Sequence, residues 1–228
     1  MIPLAACLFD LDGVIVDTAK YHFIAWRQIA KELGFDFTER DNERLKGVSR
    51  TRSLEILLEV GGLALDTAAK VRLAEQKNAL YLSHVMKMTP VEILPGAEAF
   101  LTACRQAGYK TALATASRNA AVIMELLKIA PLFDAVVDGN KVTHTKPDPE
   151  VFLNCAVALE LPPQTCAVFE DAEAGIAAAH AAGMLAIGIG DAGILGNADL
   201  VVPGLKDLSL VQLRGAWDKK HNGTVAKP

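Results

Sequence analysis

The stretch Ala5-Ala6-Cys7-Leu8-Phe9-Asp10-Leu11-Asp12-Gly13 sets the architecture of this chain. Its first five residues are all apolar, which is typical of a strand buried on both faces of a parallel sheet. Side chains alternate along a strand, so Asp10 and Asp12 share one side while Leu11 returns to the core. Because parallel sheets bind ligands at the carboxyl ends of their strands, the stretch predicts a buried sheet with a site at its edge.

The rest of the chain carries further strands that alternate with helices. Short apolar runs predict strands at 111–115, 135–137, 166–169, 185–189 and 200–202. Helical spacing predicts helices at 97–106, 119–127, 150–159 and 172–182. This alternation predicts an α/β fold, a doubly wound parallel sheet with right-handed crossovers. The uncharged run 174–190 approaches the length of a membrane span, but its glycines and its change from helical to strand-like pattern predict a core segment instead.

After the first strand, about ninety residues pass without a strand signal, which is far longer than an ordinary crossover. Three amphipathic patterns predict helices in this region, around Phe23 to Leu33, Leu54 to Leu58 and Leu73 to Val85. We therefore predict a helical-bundle cap at 16–91, a core at 1–15 and 92–217, and a flexible tail at 218–228. The Pro/Gly-rich segment 89–96 is the expected return hinge.

Composition narrows the class of protein. The 228 residues are 51% hydrophobic with a net charge of -4, which disfavours a nucleic-acid or anionic-membrane partner. The four cysteines lie in apolar runs without a C-x-x-C pair, and the N-terminus lacks the basic region of a signal peptide. We expect a cytoplasmic monomer that acts on a small molecule.

Acidic side chains end two of the predicted strands. Asp10 and Asp12 follow the first, and Glu170 and Asp171 follow the strand at 166–169. Carboxylates placed so close repel, so either one is protonated or a divalent cation neutralises them, and hard oxygen ligands suit Mg²⁺. A turn with solvated acids is the alternative for the first pair, and an N-terminal helix cap is the alternative for the second.

Two other strand ends supply groups for an anion. Thr115-Ala116-Ser117-Arg118-Asn119 opens a helix, so its hydroxyls and backbone N–H groups are suited to a phosphate. Lys146 lies in Thr145-Lys146-Pro147-Asp148-Pro149, where prolines restrict the loop. Taken alone, the first stretch is also a capping sequence and the second is also a surface lysine.

Together these four strand ends resemble the motifs of the haloacid dehalogenase superfamily of phosphotransferases. The resemblance implies that Asp10 is a nucleophile that becomes a phosphoaspartate and that Asp12 is a general acid and base. It further implies that Thr115 and Lys146 hold the transferring phosphoryl oxygens. Mg²⁺ is the implied metal, with Asp10, Asp12, Glu170 and Asp171 as its candidate ligands.

Within that superfamily, the stretches 17–26, 45–53 and 76–78 resemble the cap of the β-phosphoglucomutase family. The resemblance implies that Thr18 and His22 orient Asp12 and that Arg50 receives the phosphate that is not being transferred. The implied substrate-binding set is Lys46, Gly47, Val48, Ser49, Arg50, Ser53, Lys77, Ala116, Ser117, Arg118 and Asn119. Without this resemblance, we would interpret His22 as a packing histidine, and Arg50 and Lys77 as solvated surface groups.

The expected reaction interconverts β-D-glucose 1-phosphate and D-glucose 6-phosphate, with β-glucose 1,6-bisphosphate as primer and intermediate. A sugar-phosphate phosphatase of the same superfamily is the first alternative, because the core motifs serve both reactions. A regulator that binds sugar phosphates without turnover is the second. It is disfavoured because Asp10 and Asp12 are both present.

Overall fold

The computed structural model describes residues 2–45 and 47–222, and its centre is a six-stranded parallel sheet. The strands are β1 Ala6–Phe9, β2 Lys110–Ala114, β3 Ala135–Val137, β4 Cys166–Glu170, β5 Leu185–Ile189 and β6 Leu200–Val202. They lie in the order β3-β2-β1-β4-β5-β6, so the chain reverses direction across the sheet at β1. This reversal is where ligands bind in doubly wound sheets.

Nine α-helices are found within the described residues. They are α1 Ala19–Glu32, α2 Glu39–Glu43, α3 Arg50–Gly61, α4 Thr67–Val85, α5 Ala97–Gln106, α6 Ala120–Leu127, α7 Glu150–Ala158, α8 Glu173–Ala181 and α9 Leu210–Asn222. The first four belong to the segment 16–91, which we call the insert. The predicted α/β fold is confirmed, and the ends of its strands agree with the predicted ends to within one residue.

The sheet is buried on both faces because its strands are apolar throughout. Cys7 and Phe9 of β1 face one apolar cluster, while Ala6 and Leu8 face the other. The Phe9 ring stacks on Phe169 of β4 with the centroids 4.4 Å apart. Since β1 and β4 are in register, the residues that follow them, Asp10 and Asp171, come out at the same edge.

The insert has an apolar core of its own. Trp26, Ile29, Phe37, Leu54 and Leu57 are all buried in it. The three predicted helices are present. The short α2 was not predicted, because none of its residues is buried and it lacks an apolar stripe. Its start is instead stabilised by a capping box between Thr38 and Asp41.

The predicted tail at 218–228 is wrong for residues 218–222, which continue α9. Lys220 secures this last turn, because its Nζ donates to the Met184 carbonyl and to Asp199, both at 2.8 Å. The remaining tail residues, 223–228, lie outside the described residues. Among residues 2–45 and 47–222, no helix has the length and apolar character needed to cross a membrane.

Candidate active site

A cavity of about 600 Å³ lies between the carboxyl edge of the sheet and the insert. Polar side chains from both parts of the chain line it. Those from the sheet side include Asp10, Asp12, Thr115, Ser117, Arg118, Asn119 and Asp171, and those from the insert include His22, Ser49, Arg50, Ser53, Glu75 and Lys77.

Asp10 sits at the floor of the cavity, paired with a buried lysine. Lys146 Nζ lies 2.5 Å from Asp10 Oδ1 and also contacts Glu170 Oε1. Burial alone would lower the pKa of Lys146, but the carboxylates of Asp10 and Glu170 outweigh it and raise that pKa above its ordinary value. Lys146 is therefore a permanent positive charge beside the Asp10 carboxylate.

Asp12 is held by the residue at the start of α1. The buried Thr18 hydroxyl donates to Asp12 Oδ1, and His22 Nε2 lies 4.0 Å from the same oxygen. Burial, together with the charge of Asp10, raises the pKa of Asp12 from 3.8 to about 6. The Asp12 carboxyl group is thus able to gain or lose a proton near neutral pH.

Lys77 is buried in an aromatic cage in the insert. Its Nζ lies 4.9 Å from the Trp26 ring centroid and 4.8 Å from that of Tyr81, and it donates to His22 Nδ1 at 2.7 Å. Burial and the charge of Arg50 lower the pKa of Lys77 to about 7. Burial and the charge of Lys77 also lower the pKa of His22, so a neutral His22 accepts at Nδ1 and carries its proton on Nε2, facing Asp12.

Two guanidinium groups add further positive charge to the cavity, and one of them, Arg50, is close enough to act on Lys77. Arg50 comes from the first turn of α3 and Arg118 from the loop after β2, and both line the cavity. Partial burial and the charge of Arg118 lower the pKa of Arg50. Like charges held this close are stabilised by an anion between them, and guanidinium groups suit phosphate oxygens.

The insert touches the core directly above the site. Asn119 Nδ2 donates to Asn78 Oδ1 at 3.0 Å, which joins the loop after β2 to α4. Gly47 has a φ of +72°, and a Cβ at this position would lie 3.3 Å from Ala172 of the core. This close approach leaves little room for a larger residue at position 47.

The structure brings most of the expected residues together. The cavity is lined by Asp10, Asp12, His22, Gly47, Val48, Ser49, Arg50, Ser53, Lys77, Thr115, Ala116, Ser117, Arg118, Asn119 and Asp171. Thr18 and Lys146 lie directly behind Asp12 and Asp10. Lys46 falls outside the described residues.

Glu170 is placed differently from the expected metal ligand. Its carboxylate is fully buried on Lys146 and accepts from the Ala172 backbone N–H at 3.0 Å, away from the cavity lining. A Cβ on Gly175 would lie 2.0 Å from the Glu170 carboxyl carbon, so the carboxylate fills the space that this glycine leaves. Glu170 therefore holds the Lys146 ammonium group in place and keeps it charged. The helix-cap alternative holds in part for Glu170, because the backbone N–H that it accepts from belongs to Ala172, the N-cap residue of α8.

Burial decides between the alternatives for the two lysines. Lys146 and Lys77 are each only 2% exposed, so neither is a surface lysine. His22 combines both interpretations, because its ring packs on Tyr81 while its nitrogens face Lys77 and Asp12. In the loop at 115–119, Thr115 Oγ1 accepts from the Ser117 N–H at 3.1 Å, whereas Asn119, the N-cap residue of α6, makes no side-chain capping bond, so the capping alternative is not met.

Sequence reasoning missed several residues around the cavity. Trp26 and Tyr81 enclose Lys77, and Asn42 and Glu75 line the wall. Tyr81 follows Lys77 by four residues, a spacing that places both on one face of α4. That spacing could have predicted Tyr81 as a neighbour of Lys77. Asn42 could not be predicted in this way, because it lies on α2, which has no apolar pattern.

The donor set fits a divalent cation. Asp10 and Asp171 present hard carboxylate oxygens at the cavity floor, and Asp12 adds a third acid nearby. At this floor the carboxylates of Asp10, Glu170 and Asp171 are accompanied by one buried lysine, Lys146. Excess negative charge on oxygen ligands favours Mg²⁺.

Comparisons with known proteins agree with this geometry. The sequence profile of haloacid dehalogenase-like hydrolases matches residues 4–183. The chain is 44% identical to a β-phosphoglucomutase of Bacillus subtilis over 95% of this chain and 96% of that protein. It is 34% identical to a fructose-1-phosphate phosphatase of Escherichia coli, over 81% of this chain and 96% of the relative.

A solved structure extends the likeness to three dimensions. The crystal structure of a β-phosphoglucomutase from Clostridium difficile superposes with a TM-score of 0.91 at 40% sequence identity. The match covers 95% of this chain and 98% of that one. With its sheet order, its acidic strand ends and its matching profile, the chain belongs to the haloacid dehalogenase-like hydrolase family.

Proposed function

We propose that this protein is a phosphomutase that interconverts β-D-glucose 1-phosphate and D-glucose 6-phosphate. The observation that carries the proposal is a second anion site in the same cavity as the reacting carboxylate. Arg50 and Arg118 form that site, while Asp10 and Lys146 form the first. A sugar with a phosphate at each end would engage both sites at once, and the two most similar relatives described above are β-phosphoglucomutases.

Asp10 is the proposed nucleophile. A carboxylate is a weak nucleophile at phosphorus, because its own charge repels the phosphoryl oxygens. Lys146, at 2.5 Å, shields that charge and stays protonated, and the Thr115 hydroxyl lines the same floor. Attack forms a phospho-Asp10, which then donates the group to a sugar hydroxyl.

Asp12 is the proposed general acid and base. It takes the proton from the attacking sugar hydroxyl and returns a proton to the leaving oxygen in the reverse half-reaction. A pKa of about 6 suits both duties, because neither protonation state is rare near neutral pH. Thr18 orients the carboxyl group, and the imidazole of His22 links it to Lys77.

Mg²⁺ is the proposed metal, with Asp10 and Asp171 as protein ligands and Asp12 beside them. When bound, Mg²⁺ supplies positive charge for the phosphoryl oxygens. Glu170 contributes by holding Lys146 in place. The bisphosphate is the proposed primer, since phospho-Asp10 has to be formed before the first sugar hydroxyl reacts.

The proposed cycle requires the bisphosphate to turn round between two transfers. Arg50 and Arg118 then hold whichever phosphate is not on Asp10. For this exchange we propose that residues 16–91 act as a cap over a core formed by 1–15 and 92–217, opening at the hinges near 16 and 89–96. Opening would break contacts between the insert and the core such as that of Asn78 with Asn119.

A single chain supplies every group in this scheme, which supports a monomeric enzyme. The four buried free cysteines are suited to a reducing compartment, so we propose a cytoplasmic location.

A sugar-phosphate phosphatase is the second candidate, favoured by the 34% identity to the fructose-1-phosphate phosphatase. It uses the same Asp10, Asp12 and Lys146, but water replaces the sugar hydroxyl as acceptor. The two functions differ in whether they need the second anion site, formed by Arg50 and Arg118, which we call the distal anion site. A mutase needs it in both half-reactions, whereas hydrolysis of phospho-Asp10 needs it in neither.

The Arg50→Ala variant tests this difference. Losing a charged contact to the distal phosphate raises the activation free energy of phosphoryl transfer by about 2 to 3 kcal/mol, which lowers mutase turnover by about a hundredfold. Phosphorylation of Asp10 by acetyl phosphate, which has no distal phosphate, should remain within about threefold of the wild type. Inorganic phosphate should rise relative to glucose 6-phosphate.

Arg52→Ala is the matched control. Arg52 lies on the same helix but is exposed and paired with Glu55 and Glu59 at 3.0 Å, outside the cavity. It should leave both the rate and the product ratio unchanged. A mutase rate in Arg50→Ala that equals that of the control would refute the distal-site argument.

A further inference from the structure

Tyr81 carries a hydroxyl group whose position is not explained by packing. The side chain is 0% exposed, and its oxygen has no hydrogen-bond partner in the described part of the chain. An unpaired buried hydroxyl costs free energy, whereas phenylalanine at this position would fill the same volume without that cost. The oxygen therefore calls for an acceptor that lies nearby but to which it is not bonded in this arrangement.

The surroundings of the phenol identify that acceptor. The Thr18 and Ser117 hydroxyls are its neighbouring side chains. Thr18 commits its own proton to Asp12 Oδ1, so its oxygen is left to accept. Ser117 Oγ already accepts from the Asn119 N–H at 3.2 Å. Of the two, Thr18 is the better acceptor.

Tyr81 also joins parts of the site that have to act together. Its ring lies against His22, with the centroids 4.1 Å apart, and beneath Lys77 Nζ at 4.8 Å. Burial and the nearby Asp12 carboxylate raise the pKa of Tyr81, so the phenol keeps its proton and is a donor.

We propose that the Tyr81 hydroxyl is a positioning group that donates a hydrogen bond to Thr18 Oγ1 when substrate is bound, and thereby holds Thr18 against Asp12. The resulting chain runs from the Tyr81 O–H to the Thr18 oxygen and from the Thr18 O–H to the Asp12 carboxylate. Hydrogen bonds in such a chain reinforce each other. This inference rests on the proposed function, because Asp12 is the acid and base of the transfer step.

Tyr81→Phe is the direct test. We expect kcat for total phosphoryl turnover, measured as glucose 6-phosphate plus inorganic phosphate, to fall by about tenfold, in line with the loss of one hydrogen bond. KM should stay within about twofold, because the cavity lining does not include Tyr81. The melting temperature of the ligand-free variant should stay equal or rise, because the variant lacks the unpaired hydroxyl.

A double-mutant cycle with Thr18→Val separates positioning from packing. Valine keeps the branched shape of threonine and removes the acceptor, so Tyr81→Phe should change kcat by less than about twofold in this background. Tyr109→Phe is the matched control, since its oxygen accepts from Arg214 at 2.9 Å, far from the cavity. It should leave kcat unchanged.

Equal tenfold losses in both backgrounds, or a melting temperature that falls in Tyr81→Phe, would overturn the inference and assign Tyr81 a packing role. Total turnover is read whether sugar or water accepts the phosphoryl group. A wild-type enzyme that releases only inorganic phosphate therefore contradicts the proposed mutase function, while the cycle still decides the role of Tyr81.

Discussion

Replacing Asp12 with asparagine should stabilise the ligand-free protein while it disables catalysis. Burial and the charge of Asp10 raise the pKa of Asp12 from 3.8 to about 6, so the native state holds this proton more tightly than the unfolded chain. The cost of ionising Asp12 appears as the pH rises between these two values and persists above them. Asparagine removes this cost and still accepts the Thr18 hydrogen bond.

The magnitude follows from the size of the shift. About two pKa units correspond to about 3 kcal/mol, and because the side chain is 25% exposed, solvent screening reduces this to about 1 to 2 kcal/mol. For a chain of this length, that is a rise of about 3 to 6 °C in melting temperature. The same variant should slow transfer to sugar at least about a hundredfold, as expected for a general acid and base.

The assay is urea unfolding at pH 4 and pH 7.5 in chelator, with the mutase rate measured in parallel. The stability difference between variant and wild type should be small at pH 4 and complete at pH 7.5. Asp36→Asn is the control, since Asp36 is 77% exposed, and it should change the free energy of unfolding by less than about 0.5 kcal/mol. An Asp12→Asn protein that is less stable than the wild type at pH 7.5 would refute the electrostatic reasoning.

Three further outcomes are expected. Asp10→Asn should abolish turnover while circular dichroism shows an intact fold, because an amide of equal size replaces the nucleophile; near-normal turnover would exclude the covalent mechanism. Lys146→Met should lower the free energy of unfolding by about 3 to 5 kcal/mol in a urea titration, since Asp10 and Glu170 lose their buried counter-charge; a loss below about 1 kcal/mol would contradict this. Chelator should abolish activity, Mg²⁺ should restore it, and Ca²⁺ should inhibit in competition assays, because the larger ion coordinates loosely; full activity in chelator would exclude the metal.

The sheet was predictable because its strands are buried on both faces and therefore apolar along their whole length. The position of Asp10 and Asp171 was predictable for the same reason. Each follows a buried strand, and neighbouring parallel strands end at the same edge of the sheet. The short α2 escaped prediction because it buries none of its residues and is stabilised by a local capping box.

Within the site, spacing identified charged residues but not their pairing. Glu170 and Asp171 are neighbours in sequence, yet alternation sends Glu170 beneath the floor to Lys146 and leaves Asp171 in the cavity. The aromatic cage of Lys77 likewise depends on how α1 packs on α4, which brings together Trp26 and Tyr81 from distant parts of the chain. Such contacts are set by tertiary packing, which periodicity alone does not specify.

A ³¹P NMR time course distinguishes mutase activity from phosphatase activity in a single experiment. The intact protein is mixed with Mg²⁺, β-D-glucose 1-phosphate and a trace of β-glucose 1,6-bisphosphate. A phosphomutase replaces the glucose 1-phosphate signal in equal amount by glucose 6-phosphate while the bisphosphate signal stays constant, and this is the result we expect. Accumulation of inorganic phosphate in place of glucose 6-phosphate would contradict it and identify the protein as a phosphatase.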